Sequence, residues 1–139
     1  MPTEFELIFE RLRKILEKHA GRLSVKDESP HSYSLEAAIG PATLDAWGGK
    51  ARRACIPVAW VQTGKAYVSY HLMGTYENTK LHERMSKELK ARMQGKTCFN
   101  FKTVDEALFK ELEELTGQAI AALANAGFVT LKGGARERT

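Results

Sequence analysis

The fold of this chain is decided by residues 67–101, which read YVSYHLMGTYENTKLHERMSKELKARMQGKTCFNF. Alternation of apolar and polar residues predicts a strand over 66–73, and a short aromatic alternation predicts another over 97–101. Between them lies a basic segment whose apolar residues recur at helical spacing. The rest of the chain can be placed outward from these two strands.

Strand alternation assigns the side chains of both strands to two faces of a sheet. One face receives an apolar set: Ala66, Val68, Tyr70, Leu72, Phe99 and Phe101. The other receives a more polar set: Tyr67, Ser69, His71, Cys98, Asn100 and Lys102. We expect helices to cover the apolar set and the polar set to form an open face.

Two long amphipathic helices are predicted near the ends of the chain. Thr3 and Glu6 form a capping-box pattern, and the apolar stripe that follows predicts a helix that ends at Gly21. A second capping-box pattern over 103–106 opens a helix that we expect to run up to Gly127.

The remaining predicted elements are short. Alternation and turn residues predict strands over 22–25, 33–39, 43–47 and 55–61. Short helices are predicted over 78–84 and 86–93, the second capped by Ser86. Residues 26–32 are expected to form a turn, and Pro57 is expected at an edge or a bulge because it cannot donate to a strand ladder.

The order of these elements predicts the fold class. Consecutive strands joined by tight turns pair antiparallel, and two amphipathic helices need one sheet face to bury against. We therefore predict an α+β fold: a two-layer α/β sandwich with an antiparallel sheet packed against the N- and C-terminal helices. The prediction is one domain over 1–132, followed by a disordered polar tail over 133–139.

Composition excludes several classes of protein. The apolar fraction of 43% and the charged fraction of 27% are those of a globular chain. No run of about 18 apolar residues occurs, and the N-terminal stretch lacks a signal-peptide layout, so we expect a cytoplasmic protein with no membrane partner. The net charge of +4 is too small to predict nucleic-acid binding.

The quoted stretch also resembles a known family. The runs YVSYHLM (67–73) and LKARMQGKTCFNF (89–101), together with Tyr76, resemble the YdhG-like domains of unknown function, most of which are uncharacterised bacterial proteins. The resemblance covers about the second half of the chain and extends into the helix over 104–115. It implies a frataxin-like α/β sandwich and, through one relative described as an intracellular iron chaperone, a link to iron. It implies no catalytic residues.

The open sheet face is the first candidate site. A concave surface with a histidine, tyrosines and an amide can hold a small ligand. The predicted ligand-binding residues are Tyr67, Tyr70, His71, Tyr76, Lys96, Cys98 and Asn100. The alternative is a half-solvated surface without a ligand, the usual state of the outer face of an antiparallel sheet. A transition-metal site formed by His71, Cys55 and Cys98 would require these three side chains to converge, which alternation alone does not provide.

Acidic residues on the two long helices are the second candidate site. If these helices lie side by side, a carboxylate ridge forms from Glu4, Glu6, Glu10, Asp105 and Glu106. Hard cations, including iron, prefer such oxygen ligands. The alternative is that these acids are solvated and stabilise helix N-termini.

Taken together, the sequence predicts a small-ligand or metal-binding, chaperone-like module rather than an enzyme, with iron as the candidate cofactor. Two alternatives stay open: a protein-interaction domain that forms a homodimer, and a small enzyme with a pocket on the open face. The chain is expected to be a monomer or a homodimer. The basic segment over 80–96 is a further candidate for contact with an anion, although it lacks phosphate-loop spacing.

Overall fold

The computed structural model describes residues 3–73, 79–95 and 98–132. Within these ranges the chain forms five helices and seven strands. The helices are α1 (Glu4–Glu17), α2 (Pro41–Ala46), α3 (Thr79–Arg84), α4 (Lys87–Lys90) and α5 (Glu106–Asn125). The strands are β1 (Ser24–Ser29), β2 (Ser32–Ile39), β3 (Cys55–Thr63), β4 (Val68–Leu72), β5 (Met93–Gln94), β6 (Cys98–Phe101) and β7 (Val129–Thr130).

The strands form one antiparallel sheet in the order β1-β2-β3-β4-β6-β5. β7 pairs with the end of β2 that β1 leaves unpaired. The helices at the two ends of the chain pack together on the sheet. This arrangement confirms the predicted α+β sandwich with an antiparallel sheet.

The first helix begins as the sequence predicts. Thr3 Oγ1 accepts the Glu6 backbone N–H, and the Glu6 carboxylate accepts the Thr3 N–H, which completes the capping box. Its buried stripe is Ile8, Phe9, Leu12, Ile15 and Leu16. The predicted stop at Gly21 is wrong, because Lys18 is the C-cap and Gly21 does not adopt a positive φ.

The long C-terminal helix has a different cap from the predicted one. Asp105, not Thr103, is the N-cap, and its carboxylate accepts the Leu108 N–H at 3.1 Å. The predicted stop is confirmed, because Gly127 adopts a φ of 84° directly after the C-cap Ala126. No helix in the described ranges combines the length and the apolarity needed to cross a membrane.

One face of the sheet forms the core together with these helices. Its buried side chains include Leu35, Val61, Val68, Tyr70, Leu72, Phe99 and Phe101. Tyr70 is fully buried, and its hydroxyl lies 2.6 Å from Thr116 Oγ1 on α5. Since Thr116 donates its own proton to the Leu112 carbonyl at 2.7 Å, Tyr70 is the donor in the pair. This bond ties the centre of the sheet to the helix above it.

The predicted strand over 43–47 is wrong, since α2 occupies this segment. Pro41 lies in the first turn of that helix, where its missing N–H costs nothing. Gly40 precedes it at a close approach of two backbones: a Cβ there would lie 2.2 Å from the Gly127 carbonyl oxygen. The turn after α5 therefore packs directly against the start of α2.

Other short elements also differ from the prediction. β1 runs to Ser29, so only Pro30 and His31 form the turn that was expected over 26–32. The two-residue strands β5 and β7 were not predicted. Pro57 lies at a register shift between β2 and β3, which confirms its placement at a bulge. The predicted tail over 133–139 lies outside the described residues.

The buried Tyr70–Thr116 bond yields a stability prediction. Tyr70→Phe removes one net hydrogen bond and should lower the free energy of unfolding by about 1 kcal/mol. Thr116→Val leaves the buried hydroxyl of Tyr70 without its acceptor and should cost roughly 1–3 kcal/mol. Urea unfolding of both single variants and the double variant measures these changes.

The matched control is Tyr67→Phe, at a half-buried tyrosine outside the core, which should change stability by less than about 0.5 kcal/mol. Because the two partners share one bond, the double variant should lose less stability than the sum of the single losses. Strictly additive losses would contradict the assigned bond.

Candidate functional site

The sheet face turned away from α1 and α5, which we call the open face, carries a row of side chains at its centre. Strand register places Trp60 of β3 opposite Ser34 of β2, and His71 of β4 opposite Trp60. The row continues with Cys98 of β6 opposite His71, and then with Gln94 of β5. Directly opposed residues of neighbouring strands project side by side on one face, so register alone brings these five residues together.

His71 is held on three sides within this row. Its ring stacks on Trp60 with centroids 4.7 Å apart and planes 9° from parallel. Its Nδ1 lies 2.9 Å from Cys98 Sγ, and its Nε2 lies 3.3 Å from Ser69 Oγ. One neutral tautomer serves both polar contacts: the Cys98 thiol donates to Nδ1 while Nε2–H donates to Ser69.

The protonation state of His71 follows from its surroundings. Its side chain is half-buried, and desolvation lowers its pKa from the usual value of 6.5. Its contacts with Trp60, Ser69 and Cys98 offer no carboxylate to oppose that shift. At neutral pH the imidazole is therefore uncharged and has a lone pair with which to accept a proton.

Neutral polar groups form the adjacent row of the open face. Gln62 of β3 lies opposite Ser69 of β4, and Ser69 lies opposite Asn100 of β6. The Asn100 amide donates to Gln94 Oε1 at 2.6 Å. Amides and a hydroxyl thus border the Trp60–His71 stack on one side, and they supply both donors and acceptors.

The structure brings together some of the predicted ligand-binding residues. His71, Cys98 and Asn100 lie on the open face, each half-buried. Tyr67 is half-buried directly before β4, where its carbonyl accepts the Gly64 N–H at 2.9 Å. The predicted residues Tyr76 and Lys96 lie outside the described residues.

Tyr70 does not belong to this site. The alternation places it on the apolar face, and the structure buries it completely with its hydroxyl on Thr116. Its inclusion among the ligand-binding residues is therefore corrected: it is a core residue that positions β4.

Two central members of the row were missed by the sequence analysis. Trp60 and Gln94 belong to the row because they lie opposite His71 and Cys98 in neighbouring strands. No local sequence pattern predicts these pairings. The signal that could have found Trp60 is the alternation in β3, since Trp60 and Gln62 are two residues apart and share one face.

Cys55 does not join the pair of His71 and Cys98. It lies opposite Ala38 at one end of β3, five residues before Trp60, which corresponds to about 16 Å along a strand. Among the described residues no group of three or more His, Cys, Asp or Glu side chains is arranged to hold a metal ion. Of the three side chains predicted to form a transition-metal site, only His71 and Cys98 therefore converge.

Most acids of the proposed carboxylate ridge already have donors. Glu6 accepts within the α1 capping box, and Asp105 caps α5. Glu4 accepts the Val104 N–H at 2.8 Å, and Glu106 pairs with Arg11 at 2.7 Å. The fifth acid, Glu10, is exposed on α1. Iron binding by these helices stays a prediction, and it would require several of these contacts to be replaced.

The β1 edge of the sheet, one of its two edges, bears on the homodimer alternative. Residues 25–29 of β1 are all exposed, and they include Lys26, Asp27 and Glu28. The pairing of β1 with β2 also shifts register between Val25 and Asp27. Charges and bulges of this kind hinder edge-to-edge pairing of strands, so the β1 edge does not favour a dimer.

No protein family, curated protein or solved structure was found to match this chain. The fold and the site define an antiparallel α+β sandwich whose open face carries a neutral cluster of one indole, one imidazole and one thiol.

Desolvation of His71 yields a prediction about pH. Because its pKa is lower in the folded than in the unfolded chain, the unfolded chain binds more protons as pH falls through about 6.5, and stability is lost there. His71→Asn removes this contribution. Between pH 7.5 and pH 5, urea unfolding should show a larger loss of stability for the unmodified protein than for the variant.

His19 is the built-in control for this comparison. Its pKa is also lowered by desolvation, but it is present in both proteins, so its contribution cancels in the difference. Equal losses in the two proteins would show that His71 is not desolvated in the folded state.

Proposed function

We propose that this protein is a cytoplasmic binding module for a small uncharged molecule, with the open face as its binding site. The observation that carries the proposal is the Trp60–His71 stack, which lies beside Cys98 at the centre of the open face, next to the row of Gln62, Ser69 and Asn100. The two reduced cysteines suit a reducing compartment.

The surrounding groups define the class of ligand. The stacked rings offer an aromatic surface that favours a planar or apolar part of a ligand. The Gln62, Gln94 and Asn100 amides can donate or accept hydrogen bonds from the polar edge of such a molecule. His71 is neutral and stacks on the uncharged Trp60, so neither ring compensates a ligand charge. The carboxylate in this row lies at its β1 end, where Asp27 accepts the Ser34 hydroxyl at 3.4 Å. These features favour a neutral planar molecule with hydrogen-bonding groups at its rim.

Nuclear magnetic resonance titration tests this proposal. The probes are nicotinamide and uracil, two small neutral planar molecules that carry amide groups, added to the isotope-labelled protein. We expect saturable shifts at the Trp60 indole and at the backbone amides of Ser69, His71 and Asn100. Trp60→Leu should weaken binding by about fivefold or more, which corresponds to the loss of one stacking contact of about 1 kcal/mol.

Trp47→Leu is the matched control, because Trp47 is the second tryptophan of the chain and lies beside a small apolar cavity lined by Met73 and Phe128. It should leave the binding of both probes unchanged. An absence of saturable shifts, or shifts centred on Trp47, would contradict the proposed site.

Ferrous iron tests the metal-binding alternative in the same spectra. Saturable shifts at Glu4 and Glu106 upon anaerobic addition of ferrous iron, without shifts at His71, would move the binding site to the acidic helices. The small-molecule proposal expects the acids to keep their contacts with Val104 and Arg11.

Kinship with the YdhG-like domains is likewise a proposal. Its support is the run over 89–101, whose described residues lie in and between α4, β5 and β6 and contribute Gln94, Cys98 and Asn100 to the open face. A YdhG-like domain with a different strand order in its sheet would contradict the kinship.

A further inference from the structure

We infer that Cys98 is a nucleophilic thiol with His71 as its base, and that the open face takes small uncharged compounds with an electrophilic carbon as covalent ligands. This inference concerns the same face as the binding proposal but does not rest on it. Thiol reactivity needs only the contact between Cys98 and His71, whether or not a ligand binds reversibly beside them.

The geometry is that of an activated nucleophile. A thiol reacts as its thiolate, and an adjacent base that accepts the thiol proton raises the reactive fraction. Cys98 Sγ lies 2.9 Å from His71 Nδ1, within reach of direct proton transfer. The base is oriented in turn by two further groups: Ser69 Oγ at 3.3 Å from Nε2, and the Trp60 ring stacked on the imidazole face.

The side-chain positions follow from backbone register rather than from a chance contact of mobile groups. His71 and Cys98 are directly opposed residues of neighbouring antiparallel strands, and each is half-buried. Opposed side chains on one sheet face have Cβ atoms about 5 Å apart, which brings a thiol and an imidazole into contact. The ladder between β4 and β6 therefore maintains the pair.

The chemical step balances without any further reactant. The proton of the Cys98 thiol moves to Nδ1 of the neutral His71 imidazole, which gives a thiolate and an imidazolium. The sulfur lone pair forms an S–C bond with the electrophilic carbon, and the bond from that carbon to its leaving group breaks with its electron pair. The imidazolium then returns its proton to the leaving group or to water.

The chain contains its own matched control in Cys55. Cys55 is also a half-buried cysteine on a strand of this sheet, but its register partner is Ala38 rather than a histidine. The two thiols thus share a chemical group, a compartment and a similar exposure class, and they differ in the base beside Cys98. A difference in their rates reports on that base.

The test is alkylation by iodoacetamide at neutral pH, followed by intact mass spectrometry and peptide mapping. Rates for each thiol are measured separately in Cys55→Ser and Cys98→Ser variants. We expect Cys98 to react roughly tenfold faster than Cys55, as expected for a thiol beside a base. His71→Asn should lower the Cys98 rate to within about threefold of the Cys55 rate.

The rate at Cys55 separates a role in chemistry from a loss of fold. If His71→Asn unfolded the protein, Cys55 would react at the rate measured in urea, and the comparison would move to His71→Gln, which also removes the base and should bring the Cys98 rate to within about threefold of the Cys55 rate. Cys98 reacting no faster than Cys55 would overturn the inference. So would a Cys98 rate that is unchanged by His71→Asn in a folded protein.

Discussion

Neighbouring residues of a β-strand must point to opposite faces, and in β4 this constraint links the hydrophobic core to the candidate site. Tyr70 points into the core, where its hydroxyl is fixed by Thr116 of α5. His71 must then project from the open face, since a shift of one residue would bury the imidazole and expose the tyrosine. The cost of that exchange is large, because the apolar side chains of the whole strand would change faces with it. A single buried hydrogen bond and the apolar side chains beside it therefore keep His71 on the open face.

Register across strands then determines which side chains His71 meets. The β3–β4 ladder supplies Trp60, and the β4–β6 ladder supplies Cys98. Alternation within each strand could predict which face His71 and Cys98 share, but not which residues stand opposite each other. The register between β2 and β3 is further altered by the bulge near Pro57. The proline predicts an edge or a bulge, but it does not predict which residues then pair. For this reason the sequence predicts the face on which the site lies, while the contacts within the site depend on how the strands pair.

The fold was predictable where periodicity extends over many residues. Both α1 and α5 carry long apolar stripes, and the sequence predicts them along with the antiparallel pairing of the strands. Prediction failed for short elements whose structure depends on distant neighbours. The segment after Gly40 forms a helix because its start packs on the turn at Gly127, which is 87 residues later in the sequence. β7 is defined by its pairing with the end of β2. Its two residues are too few to show the alternation that predicts a strand.

The helix layer and the open face of the sheet differ in charge, and this difference affects which class of ligand each can bind. In the helix layer, the carboxylates of Glu4 and Glu106 are matched by a backbone N–H and by Arg11. A cation bound there must take these oxygens from their present donors, and it must do so next to a guanidinium of the same sign as itself. The ring pair at the centre of the open face imposes neither cost, because His71 stacks on the uncharged Trp60 and contacts the hydroxyl of Ser69. A neutral ligand can displace water from Trp60 and His71 without leaving a charge unpaired, whereas an ion would lose hydration there without gaining a counter-charge. The same neutrality leaves the lone pair of His71 available to Cys98, so reversible binding and thiol chemistry on this face depend on one physical condition.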